Sequence, residues 1–428
     1  METGSVMRAS GEGAEAAPPR RPRSFVEWRD QLISAFGPAS VLLLAYPVYE
    51  MLQKILTSTT EPVMDFQIFH KVGELIWQGR LATAYDIKAF SQIQAVATDS
   101  PHVFAPWAYP PQFDLVAALL GLGPMAPSYL LFVGLGLGGF LWLLTRLGPA
   151  RAGWAFLFAY PAVMVNAAAG QNGFITAILA GLFAIGFLKR DARAGIALGL
   201  LVIKPHLAVG LLALVLFRRR YDMLGWAVVS AVASGLLATL AFGPEIWPVF
   251  LHGAAETSHA LKEGLFPLYR MTSTYAALTT LGVPADAALT VQAALALVVI
   301  VTLYRLTRAS LPEEALLGLA LIASLLVSPY VYDYDMPLYA LAMALLAPRL
   351  AARLGRVETV LIFAAGWTAC SWGVVENTML QAGGQTATVD PAHPHLSVAG
   401  LVFPLLAALI LRIAMRPEPA ATAAPLRA

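Results

Sequence analysis

The chain has 428 residues, of which 58% are hydrophobic and only 13% charged, with a mean hydropathy of +0.68. Soluble globular proteins carry about 25% charged residues, so a soluble enzyme and a disordered chain are both excluded. Lys and Arg number 28 against 26 Asp and Glu, a net charge of +2, which leaves no basic excess for nucleic-acid phosphates.

Cys370 is the single cysteine, so an intramolecular disulfide and a Cys-based metal site are ruled out. About 20 apolar residues cross a bilayer, and the composition therefore describes an all-α, polytopic helical bundle of about 12 spans. Residues 1–30 are expected as a disordered cytoplasmic tail, 31–416 as one transmembrane domain and 417–428 as a second tail. The first 23 residues hold no apolar run of the signal-peptide kind. Arg20, Arg21, Arg23 and Arg29 precede the first apolar run, and Arg412 and Arg416 follow the last. The positive-inside tendency thus places both termini in the cytoplasm.

Crossings are expected near 34–53, 109–122, 127–145, 152–168, 172–188, 194–217, 223–242, 286–306, 313–330, 336–350, 357–376 and 396–414. Twelve plain crossings leave Lys189, Arg190 and Arg193 outside, against the same tendency. A re-entrant segment between 109 and 217 removes the conflict. The stretch 194–217 is the best candidate, because Pro205 interrupts it after Lys204. The long polar segments 54–108, 243–285 and 378–395 all fall on the face opposite the termini, where function is expected to concentrate. In the first of them Phe66, Phe69, Val72, Leu75 and Ile76 recur at three and four. This predicts an amphipathic helix from Asp65, lying in the interface plane and stopped by Gly79. A second, shorter helix is expected over Ile87 to Ala97.

Several residues carry chemistry. Asp65 reads either as an N-cap, without a capping-box partner since the third position is Ile68, or as a general base at the membrane surface. The two readings are compatible. Lys204 interrupts an apolar segment, which is costly, and Pro205 frees a backbone carbonyl. With His206 it suits a lipid-linked phosphate; the plain alternative is a snorkelling lysine. Gly170-Gln171-Asn172-Gly173, just after Asn166, is either a turn or a pair of amides for sugar hydroxyls. Tyr330 to Asp335 combines an aromatic belt with Asp333 and Asp335, which fit sugar binding. Two positions apart on a helix, those carboxylates do not share a face, which argues against a metal pair. Arg270 is either a phosphate clamp or a solvated loop charge, beside His252, His259 and Lys262. His393 and His395 lack the further ligands of a metal site.

In chain order, Asp65, the trailing Ala84-Tyr85-Asp86, Tyr109-Pro110-Pro111, Gly170-Gln171, Lys204-Pro205 and Tyr332-Asp333 resemble the GT-C superfamily of integral-membrane glycosyltransferases. The likeness is greatest to glycosyltransferase family 87, which includes polyprenyl-phosphate-mannose-dependent α-mannosyltransferases, and it spans residues 36 to 340. It implies a multi-pass cell-membrane enzyme with its active site on the outer face. It also implies a hexose donor, mannose foremost, on polyprenyl phosphate, a lipid or glycan acceptor, and inversion at the anomeric carbon. Asp65 is the matching base. Lys204, His206 and Arg270 are the candidates for the donor phosphate. Tyr109, Gln171, Asn172, Asp333 and Asp335 are the candidates for sugar and acceptor. No cofactor, metal or nucleic acid is implied. The competing class is a lipid or solute transporter or flippase, which also uses broken helices with a midplane charge. The lack of a paired repeat, the long loops on one face and an acid at the interface favour the enzyme. A non-catalytic assembly partner is a third option.

Overall fold

A computed structural model describes residues 25–62, 64–99, 104–382 and 394–417. Helix begins at Phe25, inside the expected N-terminal tail; the rest of that tail, residues 418–428 and His393 lie outside the described residues. The described residues form α-helices and no strand. These are α1 (Phe25–Leu43), α2 (Ala45–Thr57), α3 (Asp65–Trp77), α4 (Leu81–Tyr85), α5 (Ile87–Thr98), α6 (Pro111–Leu120), α7 (Met125–Leu147), α8 (Pro149–Ala169), α9 (Gly173–Leu188), α10 (Ala194–Leu200) and α11 (Val209–Phe217). They continue with α12 (Tyr221–Phe242), α13 (Ile246–Lys262), α14 (Thr274–Thr280), α15 (Ala285–Arg308), α16 (Glu313–Val327), α17 (Pro337–Ala351), α18 (Arg356–Ala382) and α19 (Val398–Ala414).

Five helices are long and apolar enough to cross a membrane: α7, α8, α12, α15 and α18. Their burial separates the centre from the periphery. The apolar window of α8 is 78% buried, whereas those of α7, α12, α15 and α18 are 17–28% buried. Val229, Leu236 and Leu240 of α12 and Leu297 and Val298 of α15 face outward. An apolar exterior of this extent belongs in lipid, and the chain is a membrane protein. The shorter α16 and α17 are buried on every side and pack with α8 as the core.

Basic residues gather at one end of the bundle. Arg151 at the start of α8 pairs with Glu314 at the start of α16 at 2.9 Å. Arg220 lies over the Phe187 ring at the end of α9, and Arg218 donates to Thr307 O near the end of α15. Arg353 beyond α17 donates to Arg416 O beyond α19, while Arg416 bonds Glu358. Gly153 near the start of α8 packs on the backbone of Ile33 in α1, which brings this part of α1 to the same end.

Two expected crossings take other forms. The segment at 109–122 yields only α6, about 15 Å long at 1.5 Å per residue, roughly half the hydrocarbon thickness. The segment 194–217 is broken by 3-10 turns on either side of Lys204. Its first limb runs parallel to α12, with Gly195 against Met223 and Gly199 against Ala227. Its second limb runs back, carrying Arg218 to the basic end where α10 began. Neither segment is therefore one continuous helix of crossing length. The segment 194–217 is a hairpin with Lys204-Pro205-His206 at its tip.

The apolar stripe of α3 also has a different neighbour from the one expected. Phe66 packs on Tyr129 and Phe132 of α7, and Phe69 on Trp107, Tyr109 and Phe113. Trp77 Nε1 donates to Ala118 O in α6 at 2.8 Å. The stripe is spent on protein, and its residues Phe66, Phe69, Val72 and Leu75 are buried. Gly79 follows with φ +70°, the left-handed stop that the pattern predicts.

Candidate active site

The site assembles at the end of the bundle opposite the basic residues. Six stretches distant in sequence converge there: the start of α3, the run before α6, the α8–α9 turn, the hairpin tip, and the turns at 268–272 and 328–336. The last two are tied by a bridge between Met271 and Tyr332, with Thr272 N donating to Val331 O at 2.8 Å.

Met64 is the N-cap of α3, and Asp65 is its first helical residue. The capping role is therefore not the one Asp65 performs, although a carboxylate in a first turn is favoured by the helix dipole. Its side chain points inward. Oδ2 lies 3.7 Å from Arg270 Nη2, and the Gln171 amide donates toward the carboxylate. Burial pushes the Asp65 carboxyl above its ordinary range; the Arg270 guanidinium opposes this, and the Asp333 carboxylate adds to it.

The two cations are held by the two acids of the Tyr332–Asp335 turn. Arg270 makes a bidentate pair with Asp333, Nη2 to Oδ1 at 3.0 Å and Nε to Oδ2 at 3.2 Å. Tyr334 N donates to the same Oδ1. Lys204 Nζ donates to Asp335 Oδ1 at 2.6 Å, and Tyr332 N donates to Oδ2 at 3.1 Å. Asp333 and Asp335 are 0% and 1% exposed, and every oxygen of the pair is taken by protein donors. Alternation in sequence sends one acid to each cation. Gly373 of α18 makes room for this, since a Cβ there would lie 2.3 Å from Asp333 Oδ2 and 2.9 Å from Arg270 Cγ.

Aromatic rings wall the cluster. The rings of Tyr332 and Tyr334 stack at 5.0 Å, with Arg270 over both. Lys204 Nζ sits 4.7 Å from the Tyr334 ring and 5.7 Å from the Tyr109 ring. Tyr109 Oη donates to Gln171 Oε1 at 3.2 Å. Gln171 and Asn172 form the turn between α8 and α9, so the turn and the amide pair coexist. The Asn172 amide is buried beside Tyr109, and His206 Nε2, whose ring meets Tyr330 edge-on, has no hydrogen-bond partner among the described residues.

Of the basic and histidine side chains named in the loop 243–285, Arg270 joins the cluster. His252, His259 and Lys262 pair instead with Glu256, Glu263 and Asp286. His395 Nδ1 lies 2.9 Å from Glu376 Oε1, with its ring against Tyr269. Two contributors escaped the sequence reading. Gly373 carries no signal outside its three-dimensional neighbours. Asp114, fully buried behind Tyr109, had one: an ionisable residue inside an apolar run.

The family model described as glycosyltransferase family 87 matches residues 107–329, just over half of the chain. The match covers the α8–α9 turn, the hairpin tip and Arg270; Asp65 precedes it, and Asp333 and Asp335 follow it. No curated protein and no solved structure matches the chain.

Proposed function

Since the chain belongs to glycosyltransferase family 87, we propose that it moves a hexose, mannose foremost, from a polyprenyl-phosphate donor to a lipid or glycan hydroxyl, with inversion. The observation that carries this reading is the Asp65 carboxylate beside two held cations, at one end of an apolar-surfaced bundle. A polyprenyl donor dissolves in the bilayer and presents its phosphate near headgroup depth. An enzyme using it needs cations and a base at that depth.

Asp65 accepts the proton of the acceptor hydroxyl as its oxygen attacks the anomeric carbon. The bond from that carbon to the phosphate oxygen breaks, and the polyprenyl phosphate leaves with the electron pair. Charge grows on the leaving phosphate, and donors already fixed in place stabilise it most. Lys204 uses one of its three N–H donors on Asp335, and Arg270 uses two of its five N–H donors on Asp333. The rest remain for phosphate. Asp333 and Asp335 hold these cations, a role that replaces direct contact with sugar. Gln171, Asn172 and Tyr109 remain the sugar- and acceptor-facing groups, with His206 beside the phosphate.

The basic end faces the cytoplasm and the site end faces outward. Ten crossings (α1 with α2, α7, α8, α9, α12, and α15 to α19) and one re-entrant hairpin at 194–217 carry the chain. This keeps both termini inside. It also returns Lys189, Arg190 and Arg193 to the cytoplasmic side, as the positive-inside tendency requires.

The test is incubation of purified protein with a panel of polyprenyl-phosphate sugars and sugar nucleotides, followed by mass spectrometry of extracted glycolipids. Hexose transfer from a lipid phosphate supports the reading. Transfer from sugar nucleotides alone, or solute uptake into liposomes without any transfer, overturns it.

A further inference from the structure

We infer that Asp114 is an un-ionised acid that positions the Tyr109 wall of the site, a role that rests on the transferase reading above. Asp114 is 0% exposed and has no ion pair among the described residues. An unpaired buried carboxylate is strongly disfavoured. Its contacts show how the cost is avoided. Trp107 Nε1 donates to Oδ1 at 2.8 Å, and Oδ2 lies 2.8 Å from Tyr85 Oη. Tyr85 Oη in turn lies 2.9 Å from Tyr109 O.

The protons decide the state. Tyr85 has one hydroxyl proton and two oxygens within reach. With Asp114 ionised, one of those oxygens faces the phenol with no proton between them. With a proton on Asp114 Oδ2, the acid donates to Tyr85 Oη, Tyr85 donates to Tyr109 O, and Trp107 donates to Oδ1. Each donor then has one acceptor, and no buried charge remains.

This chain fixes the backbone at Tyr109 and the Trp107 ring behind it. The Trp107 and Tyr109 rings are 4.8 Å apart, and Phe113 closes on Tyr109 at 4.6 Å. Tyr109 then meets Gln171 through its hydroxyl and Lys204 through its ring. Asp114 touches neither cation nor Asp65 and acts through Tyr109 alone.

The test compares Asp114→Asn with Asp114→Leu. Asparagine keeps an acceptor for Trp107 and a donor for Tyr85, as the neutral acid does, so most of the transfer activity should survive, within about threefold of wild type. Leucine leaves the Trp107 N–H without its acceptor and takes away the donor to Tyr85 Oη, and kcat/KM should fall by about tenfold or more. In a Tyr109→Phe background the leucine substitution should cost less than alone, because both changes remove one path. The infrared difference between wild type and Asp114→Asn should contain the C=O stretch of a carboxylic acid. That spectrum needs no transfer assay, so it stands even where the transferase reading fails or the leucine variant does not fold. The inference is overturned by a spectrum with carboxylate bands alone, or by a folded asparagine variant as impaired as a folded leucine one. Equal cost of Asp114→Leu with and without Tyr109→Phe overturns the route through Tyr109.

Discussion

Replacing Lys204 by methionine separates its two roles, as partner of Asp335 and as donor ligand. The pair is buried, with side chains 6% and 1% exposed and a 2.6 Å contact. Lys204→Met leaves Asp335 with only the Tyr332 N–H, so a carboxylate is stranded away from water. Removing one partner of a buried pair costs about 3–5 kcal/mol, and the thermal midpoint in detergent should drop accordingly. Adding Asp335→Leu removes the stranded charge. An apolar replacement of a whole buried pair is often neutral. The lost Tyr332 N–H contact costs about 1 kcal/mol, so most of the stability should return. Transfer should not return with it. A charged hydrogen bond to the donor phosphate contributes about 1.5–3 kcal/mol, and its loss lowers kcat/KM by roughly ten- to a hundredfold. Both variants are compared with wild type by thermal unfolding and by transfer from a polyprenyl-phosphate hexose. A double variant that regains wild-type transfer refutes the phosphate role of Lys204. A single variant as stable as wild type refutes the burial argument.

Gly373→Ala should displace Asp333 and loosen Arg270, because the new Cβ meets Asp333 Oδ2 at 2.3 Å. Overpacking of this kind costs about 1–3 kcal/mol, read as a lower thermal midpoint together with a weaker donor KM; an unchanged pair of values contradicts the packing. Asp65 must be ionised to accept a proton, and burial raises its pKa. Activity should therefore fall as pH drops through a value above the ordinary aspartate pKa of about 3.9, and a kcat/KM profile flat down to that value contradicts this. Single cysteines replacing Arg193 and Arg219 should both react with a membrane-impermeant thiol reagent only in inside-out vesicles, and one replacing Lys262 only in right-side-out ones. Opposite sidedness of the first two restores a plain crossing at 194–217.

The sequence makes the helical class and the order of the segments legible, because unbroken apolar runs have few other structures open to them. Residues that break such runs were legible for the same reason: Lys204 with Pro205, and the Asp333 and Asp335 acids. Their pairing was not. Nothing local says that Asp335 meets Lys204 and Asp333 meets Arg270, since those contacts join segments more than 60 residues apart. The length rule misjudged α6 because hydropathy at 109–122 resembles a span, while Pro110-Pro111 and Gly121 cut the helix to ten residues. The three-and-four spacing of apolar residues placed α3 in the interface plane of the membrane. An apolar stripe reports burial but not the identity of the neighbour, and here the neighbours are α6 and α7.

The most direct test is transfer from polyprenyl-phosphate mannose by purified wild type and Asp65→Asn, with glycolipid product measured by mass spectrometry. The substitution keeps the shape and removes the basic oxygen. General-base catalysis contributes about 10²- to 10⁴-fold, so product formation should fall by at least about a hundredfold while the protein unfolds at a similar temperature. Wild-type rates from a folded Asp65→Asn protein would contradict the assignment of Asp65 as the base.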